Sequence, residues 1–500
     1  MREKLGLFKD FSDGYVLHMP EEAKPVEQTP KTITFSEEQP IEREHEITMG
    51  GKKLKYKTTV GRMPFKNEFE EIEAQMFYMA YTVETKDKAN RPLMFSFNGG
   101  PGSPSVWLHL GALGPKRVQM TESGEFPPPP HRLIDNEATW LEYADLVFID
   151  PINTGFSRAK NKEISDKHLG VQGDIESVSE FIRLYISRNE RWSSPLYLVG
   201  ESYGTLRSAG ISGHLIDRGI AFNGIILVSS ILNYQTARFV KGNDLPYVLF
   251  LPTYAATAHY HGVVPKRRDL RRFLREVERY ALGEYSSILA RGDSITPAER
   301  KRTIQNLAKY TGLRPAFIDQ SNLRINIHSF CKELLRDRKR TVGRIDSRFV
   351  GIDGDHTAQQ IEHDPSISAL MPPYVGTFNQ YVRSELGYKS DLEYNVFNKV
   401  FQDWNWGSAG QGMPDTSEAL RKAMSKNPHM RVYIASGFYD LATPFMATDY
   451  TLNHMGLDAG LKGNFETGEY EAGHMMYIHG PSLDRLKSDV GRFIEESTKP

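Results

Sequence analysis

The chain has 500 residues, more than one hydrophobic core usually supports, which predicts a large domain with an insertion or two domains. Apolar residues make up 39% and charged residues 25%, a balance that excludes disordered, collagen-like and coiled-coil proteins. The 62 basic and 63 acidic residues leave a formal net charge of -1, so no global field attracts nucleic acid or an anionic membrane. We therefore expect neither as a partner.

Cysteine usage and hydropathy say little about the compartment. The single cysteine, Cys331, cannot form an internal disulfide. No stretch approaches the roughly 18 to 20 apolar residues of a spanning helix, and the start, MREKLGLFKDFSDGY, lacks the apolar core of a signal peptide. We expect a soluble chain that is cytoplasmic, or exported with its signal already removed. A homodimer is an open alternative to a monomer.

The first 230 residues predict an arm followed by a sheet. Residues 1–40 are polar and proline-rich without periodicity, which indicates an extended arm. Gly50-Gly51 between two strand-like runs predicts a hairpin, and the alternating run at 73–83 continues an antiparallel start. Fully apolar runs then recur with spacers between them, which is typical of a parallel sheet covered on both faces. They are PLMFSF (92–97), ADLVFID (144–150), PLYLVG (195–200) and GIILVSS (224–230).

The rest of the chain predicts a helical insertion and a return to the sheet. Thr296-Pro297-Ala298-Glu299 is a capping box with proline at the first helical position. Strand-like runs reappear at 431–436 and near Tyr470, before a final amphipathic helix. The predicted division is an N-terminal arm at 1–40, a first core part at 41–230, a mainly helical insertion at 231–415 and a second core part at 416–500.

The sharpest motif is Gly200-Glu201-Ser202-Tyr203-Gly204, directly after an apolar run and before a predicted helix. A serine between two glycines at a strand-to-helix turn can adopt a tight backbone with its hydroxyl exposed, because small neighbours let strand and helix approach. The context favours such a nucleophile elbow over an ordinary turn serine. Ser202 is therefore the candidate nucleophile.

A serine hydroxyl needs a histidine base, which in turn is oriented by a carboxylate. After an elbow of this kind the partners follow in the order Asp, His, each on a loop beyond a later strand. Asp440 lies in SGFYDLATP just after the run at 431–436, and His474 lies in EAGHMMY before the final helix. Order and loop context make these two residues stronger candidates than any other pair.

Acyl transfer also needs backbone donors for the oxyanion. The loop Asn98-Gly99-Gly100-Pro101-Gly102 follows the run at 92–97 and offers exposed amides where such enzymes build an oxyanion hole. We expect the amides of Gly100 and Tyr203 to form the pair. A phosphate-binding loop is excluded, because no Gly-Lys-Ser/Thr ending follows and the GxGxxG order is missing.

Five segments in order resemble the serine carboxypeptidase family of the α/β-hydrolase fold. The resemblance implies an α/β protein with a mostly parallel central sheet, helices on both faces and a helical lid insertion. It implies release of C-terminal amino acids from peptides through an acyl-enzyme, with neither metal nor cofactor. The segments are FNGGPGSPS (97–105), FIDPINTGFS (148–157), VGESYG (199–204), SGFYDLATP (436–444) and AGHMMY (472–477).

The resemblance also assigns roles to residues. Ser202 is the nucleophile, His474 the base and then the acid, and Asp440 its orienting partner, with Gly100 and Tyr203 giving the oxyanion amides. The family recognises the substrate's free carboxylate, and the matching positions are Asn98, Gly99 and Glu201. An ionised glutamate would repel a carboxylate, whereas a protonated one can donate a hydrogen bond to it. Acidic pH is therefore expected to favour activity.

The chain departs from the family pattern at three positions. Ala112 stands where relatives carry a second glutamate, which puts the strength and pH dependence of carboxylate binding in question. Ser96 replaces a tryptophan, and Ser103 replaces a cysteine, which fits the absence of disulfides.

Other readings of the same residues stay open. An acyltransferase or an esterase would use the same Ser-His-Asp site, because these enzymes differ only in what attacks the acyl-enzyme. A non-catalytic binding protein on this fold is a third class, against which the complete Ser202, Asp440 and His474 set argues.

Several motifs are interpreted as structural. His259-Tyr260-His261 has the spacing of metal ligands on a strand, and Asp353-Gly354-Asp355 lacks the other oxygen ligands of a calcium loop. Basic clusters at 266–272 and 336–340 are expected to be solvated helix faces. The apolar, proline-broken segment 245–262 is expected to pack the insertion onto the core.

Overall fold

The computed structural model describes residues 32–499, except 86, 126, 398–399 and 408–412. The predicted arm at 1–40 therefore lies mostly outside the described residues. Its last part, 32–40, contains neither helix nor strand, and the amide of Ile33 donates to the carbonyl of Lys160 at 2.8 Å.

The strands of the described chain fall in the predicted runs, with short additional pairs in loops. The run at 73–83 is one long strand, and Gly50 and Gly51 link the first two strands with φ of +52° and +78°, as a two-residue hairpin requires. The strands are β1 (Ile41–Met49), β2 (Lys52–Lys66), β3 (Ile72–Val83), β4 (Leu93–Phe97), β5 (Lys116–Val118), β6 (Leu133–Asp135), β7 (Asp145–Ile149), β8 (Arg158–Ala159), β9 (Leu196–Glu201), β10 (Gly224–Val228), β11 (Thr341–Val342), β12 (Val350–Gly351), β13 (Arg431–Gly437) and β14 (Phe465–Tyr470).

The central sheet is mostly parallel, as predicted. Its order is β1-β2-β3-β7-β4-β9-β10-β13-β14, with β8 beside β3. From β7 to β14 neighbouring strands are parallel, whereas β1, β2 and β3 form an antiparallel start that joins β7 antiparallel. Every residue of β4, β7, β9 and β10 is buried, which explains why these strands read as continuous apolar runs.

The helices cover both faces of the sheet. One buried cluster joins α3, α4 and α13 to one face, and a second joins α11 and α15 to the other. The helices are α1 (Val106–Leu108, continued by a π-helical turn at His109–Leu113), α2 (Lys162–His168), α3 (Val171–Arg188), α4 (Tyr203–Ile216), α5 (Leu245–Tyr260), α6 (Leu270–Tyr280), α7 (Ser286–Arg291), α8 (Pro297–Thr311), α9 (Pro315–Gln320), α10 (Ile327–Glu333), α11 (Pro365–Ser384), α12 (Val400–Asp403), α13 (Ser417–Lys426), α14 (Phe445–His454) and α15 (Gly480–Ser497).

The chain between β10 and β13 forms α5 to α13 and the small β11–β12 pair. Strand β10 precedes this segment and β13 follows it, yet the two pair directly in the sheet. The halves of the chain therefore share one sheet, and both contribute to the buried clusters on its two faces. The predicted boundaries at 231 and 415 remain predictions.

Helix α5 corrects one detail of the sequence interpretation. Segment 245–262 is not broken by proline, because Pro252 lies inside an unbroken helix. Its apolar side chains form one buried cluster with Phe438, Leu441 and Phe445 of the C-terminal part. The helix thus packs the insertion beside the loop that carries Asp440. None of the helices in the described ranges is both long and apolar enough to cross a membrane.

Candidate active site

Ser202 occupies a strained turn between β9 and α4. Its φ of 60° and ψ of -129° are unusual for a residue with a side chain, and its amide donates to the carbonyl of Val228 at 3.0 Å. The flanking glycines are required, because a Cβ on Gly200 would lie 2.2 Å from the carbonyl oxygen of Gly204. The turn has the geometry of the predicted elbow.

Asp440 and His474 lie on loops that follow β13 and β14, and their side chains meet. The imidazole Nδ1 of His474 is 2.7 Å from Oδ2 of Asp440, and both residues are buried. Oδ1 of Asp440 accepts from the amides of Ala442 at 2.7 Å and Thr443 at 3.0 Å. These bonds fix the carboxylate. Because Nδ1 of His474 is bonded to it, Nε2 remains available for another partner.

Two hydroxyl groups hold the loops in place. The Thr443 hydroxyl is 2.7 Å from Oδ2 of Asp440 and 3.2 Å from Nδ1 of His474. It also lies 3.0 Å from the carbonyl oxygen of Ser229, whose own hydroxyl donates to the carbonyl of His474 at 2.6 Å. Ser229 follows β10 directly and has φ of 51°, so the end of β10 anchors both loops.

Ser202 and His474 lie at the same edge of the sheet, at the carboxyl ends of β9 and β14. Within the ranges that the structure describes, no hydrogen bond joins the Ser202 hydroxyl to His474. Such bonds are often long without substrate and shorten when it binds. His474 is near enough to Glu201, the residue before Ser202, for its charge to act to lower the pKa of that carboxyl.

The glycine-rich loop after β4 touches the elbow directly. A Cβ on Gly99 would lie 2.4 Å from the amide nitrogen of Tyr203, so only glycine permits this approach. Gly100 has φ of +105°, in the region that glycine favours. In the described parts of the chain, neither the Gly100 amide nor the Tyr203 amide donates a hydrogen bond to a protein group. Both predicted oxyanion donors are therefore free.

Glu201 and Asn98 form a buried polar pair beside Ser202. Oδ1 of Asn98 accepts from the amide of Leu108 at 3.0 Å, which orients the side-chain amide. Its Nδ2 is buried and makes no hydrogen bond of good geometry in the described structure, but it lies close enough to the Glu201 carboxyl to help lower that group's pKa. Oε2 of Glu201 accepts a 2.6 Å hydrogen bond from the hydroxyl of Tyr477. An amide donor and a carboxyl thus lie side by side next to Ser202.

Burial controls the protonation of the site. It raises the pKa of Glu201 to about 7, against the opposing effects of His474 and of the Tyr477 hydrogen bond. Burial acts to lower the pKa of His474, but the Asp440 carboxylate outweighs it, so the pKa is raised above 6.5. A carboxyl that holds its proton to near neutrality can donate a hydrogen bond to an anion.

The structure shows what surrounds each of the three departures from the family pattern. Ala112 is fully buried in the π-helical turn, so no carboxylate stands at that position. The Ser103 hydroxyl accepts a 2.8 Å hydrogen bond from Nε1 of Trp107, and thus gives that position a polar role without a disulfide. The Ser96 hydroxyl is buried without a hydrogen-bond partner in the described structure, and nothing there explains the exchange.

Sequence reasoning missed several residues of the site. Thr443 follows Asp440 by three positions, a local pattern that could have been found as a loop cap. Ser229, Tyr477 and the Asp174–Arg207 ion pair could not, because their partners lie far away in sequence.

Possible metal ligands outside this site have other partners. His259 lies in the last turn of α5 and His261 caps that helix, so the two do not stand as metal ligands on a strand would. His259 accepts from the amide of Arg267 at 2.8 Å. In the insertion Asp353, Glu362 and His363 offer ligand atoms within 4.8 Å of one another. The ammonium of Lys332, 2.6 Å from Asp353, already supplies the counter-charge there.

A mostly parallel sheet with a serine in a tight turn after β9, and an Asp–His pair on the loops after β13 and β14, defines the α/β-hydrolase class. The fold also matches the crystal structure of Kex1(Δ)p, a prohormone-processing carboxypeptidase from Saccharomyces cerevisiae. The TM-score is 0.54 at 15% identity, covering 88% of this chain and 91% of that one.

The family model for serine carboxypeptidases matches residues 52–479, so the chain belongs to the serine carboxypeptidase family. Serine carboxypeptidase-like 7 of Arabidopsis thaliana is 28% identical over 152 residues, covering 29% of this chain and 33% of that protein. Serine carboxypeptidase-like 12 of the same plant is 27% identical over 196 residues, covering 37% and 42%. Pheromone-processing carboxypeptidase KEX1 of Zygosaccharomyces rouxii is 27% identical over 167 residues, covering 32% and 23%. Each match spans less than half of the relative's length.

Proposed function

We propose that this protein is a serine carboxypeptidase that releases C-terminal amino acids from peptides through an acyl-enzyme. The observation that carries the proposal is the buried Glu201 carboxyl, with the buried side-chain amide of Asn98 next to it, directly beside the nucleophile turn. A general esterase needs only the nucleophile, base and oxyanion donors, whereas a carboxyl recognition group next to them selects a substrate with a free C-terminus.

The proposed reaction uses the named groups in two halves. Ser202 Oγ attacks the scissile carbonyl carbon while Nε2 of His474 takes its proton, and Asp440 stabilises the imidazolium. The amides of Gly100 and Tyr203 donate to the oxyanion. The C–N bond then breaks, His474 returns the proton to the leaving amino group, and an acyl-enzyme forms. Water attacks it by the same route in reverse, which frees Ser202 and the shortened peptide.

Substrate recognition is proposed to depend on protonated Glu201. Asn98 Nδ2, the Gly99 amide and the Glu201 carboxyl are the groups that would bind the terminal carboxylate. Because the pKa of Glu201 is raised to about 7, the protonated form persists from acidic to near-neutral pH. Activity on free C-termini is therefore expected to fall above neutrality. The insertion at 231–415 is proposed to act as a lid that shapes side-chain preference.

The test is to incubate the protein with a mixed peptide pool at pH 5 and pH 8 and identify products by mass spectrometry. Stepwise loss of C-terminal residues, stronger at pH 5 and absent with Ser202→Ala, supports the proposal. C-terminally amidated copies of the same peptides serve as the matched control. Internal cleavage, or acyl transfer to an added alcohol without hydrolysis, would replace carboxypeptidase by endopeptidase or acyltransferase. Inert peptides together with no labelling of Ser202 by a covalent serine probe would favour a non-catalytic protein.

A further inference from the structure

The carboxylate site contains a tyrosine where a second acid is missing. The hydroxyl of Tyr477 donates to Oε2 of Glu201 at 2.6 Å, and both side chains are buried. Ala112, at the position where the family resemblance expects a glutamate, is fully buried and has no group that could share a proton with Glu201. Tyr477 lies in the C-terminal part of the chain, three residues after His474, whereas Glu201 and Ala112 lie in the N-terminal half.

The space for the tyrosine ring depends on small residues in the π-helical turn. A Cβ on Gly111 would lie 2.4 Å from the ring of Tyr477 and 2.7 Å from the hydroxyl of Tyr374. The consecutive Gly111 and Ala112 therefore leave room for the ring to reach Glu201. The ring occupies space next to the position from which the expected glutamate is absent.

We propose that Tyr477 replaces the missing partner acid and is a positioning residue that directs the Glu201 proton toward the C-terminal carboxylate of the substrate. This inference rests on the proposed function. A phenol hydroxyl donates one hydrogen bond, and here it donates to Oε2. A protonated Glu201 therefore carries its proton on Oε1, away from Tyr477, where it can donate to a bound anion.

The exchange of acid for phenol also changes how the site titrates. Burial raises the pKa of Tyr477 well above 10, so its hydroxyl stays a neutral donor wherever the protein works. The other groups that face Glu201 are His474, Asp440, Tyr374 and the Asn98 amide. In the described site, none of these groups is a second carboxyl that shares a proton with Glu201. Carboxylate binding is thus expected to follow the protonation of Glu201, coupled only to the charge of the Asp440–His474 pair.

The experiment separates binding from turnover by using the Ser202→Ala background. Calorimetry would compare one peptide with a free C-terminus and the same peptide with a C-terminal amide at pH 5.5. Tyr477→Phe is expected to raise the Kd of the free-carboxyl peptide about tenfold and to leave the amide within twofold, since the Glu201 proton is no longer held toward the anion and the charge-assisted hydrogen bond between them weakens. Tyr197→Phe is the matched control, because its hydroxyl bonds to Ser497 at 2.7 Å at the other end of β9. That variant should change neither value.

Two further variants keep the inference testable. Gly111→Ala, which pushes the ring away but keeps the hydroxyl, should raise the Kd of the free-carboxyl peptide in the same direction. In Glu201→Gln, adding Tyr477→Phe should have a smaller effect than in the parent, because no proton is left to direct. Equal free-carboxyl Kd values with and without the Tyr477 hydroxyl would overturn the inference. If the free-carboxyl peptide binds more tightly than its amide, but the wild type turns over neither, the proposed function is overturned. The role of Tyr477 in binding the carboxylate is then still supported.

Discussion

Gly99 and Tyr203 touch backbone to backbone, so that a Cβ on Gly99 would lie 2.4 Å from the Tyr203 amide nitrogen. The contact joins the loop after β4 to the turn after β9, strands that are neighbours in the sheet. It sets the distance between the two candidate oxyanion donors, Gly100 and Tyr203. A side chain at position 99 would have to move backbone atoms, which cannot yield as a flexible side chain can.

We expect Gly99→Ala to lower kcat/KM for peptides at least a hundredfold, since loss of one oxyanion donor costs about a factor of 10² to 10³. Steady-state hydrolysis of a free-carboxyl peptide measures it. Gly283→Ala is the matched control, because no heavy atom lies within 4 Å of its added Cβ and its φ is not positive. Activity of Gly99→Ala within threefold of the wild type would show that the contact does not set the oxyanion site.

Thr443 links the two loops that carry Asp440 and His474, through bonds of 2.7 and 3.2 Å. Thr443→Val keeps the shape and removes the hydroxyl. We expect kcat to fall about tenfold with KM little changed, because the imidazole loses about 1 kcal/mol of orientation and the buried Asp440 loses a donor. The same substitution at Thr451, a buried helical residue whose hydroxyl donates to the carbonyl of Ala447, is the control. A fall in KM and kcat together, or equal effects of both variants, would argue against a positioning role.

The elements that the sequence predicts correctly are those whose signals are local. Strand β9, the elbow at Ser202 and helix α4 are adjacent, and the glycines that permit the turn stand inside the motif itself. The capping box at Thr296 likewise opens α8, because both partners lie in one helical turn. Asp440 and His474 are predicted from their order along the chain, each on a loop after a later strand. The parallel sheet then brings the carboxyl ends of these strands to one edge.

The residues that were missed depend on contacts between distant segments. Tyr477 meets Glu201 across 276 positions, and no spacing rule links them. The spacing of His259 and His261 also fits metal ligands on a strand, but α5 is a buried helix and turns the two side chains apart. In both cases tertiary packing determines the contact, and only the folded chain reveals it.

The Asp174–Arg207 ion pair supports the glycine-rich loop that begins with Asn98. The guanidinium bonds to Oδ2 of Asp174 and to the carbonyl of Asn98, each at 2.7 Å, and both charged side chains are at most 3% exposed. Asp174→Asn leaves Arg207 without its counter-charge, and we expect a loss of about 3 to 5 kcal/mol in the free energy of unfolding. Urea denaturation measures it.

The matched comparison is the exposed ion pair between Glu180 and Arg183 on α3. Glu180→Gln removes a partner from Arg183 at the surface and should cost less than about 1 kcal/mol. If Asp174→Asn is no more destabilising than Glu180→Gln, the buried pair is not a support of the site.

The raised pKa of Glu201 predicts how stability changes with pH. Burial lifts the pKa from its usual 4.5 to about 7, so between these values the folded state holds a proton that the unfolded state has released. The contribution of Glu201 to stability is therefore fully present below about pH 4.5 and is lost as pH rises through 7. Glu201→Gln has no proton to lose. Relative to the wild type, its free energy of unfolding should increase between pH 5 and pH 8 by up to about 3 kcal/mol.

Urea denaturation of the two proteins at several pH values checks this expectation. Glu176→Gln, at an exposed position on α3, provides the reference for a glutamate outside the buried site. In hydrolysis assays, Glu201→Gln should also lose the decline of kcat/KM above pH 7 for free-carboxyl peptides, because an amide donor does not titrate. A constant stability difference from pH 5 to pH 8 would mean that Glu201 is ionised in the folded protein throughout. In that case it could not serve as the proton donor to a substrate carboxylate.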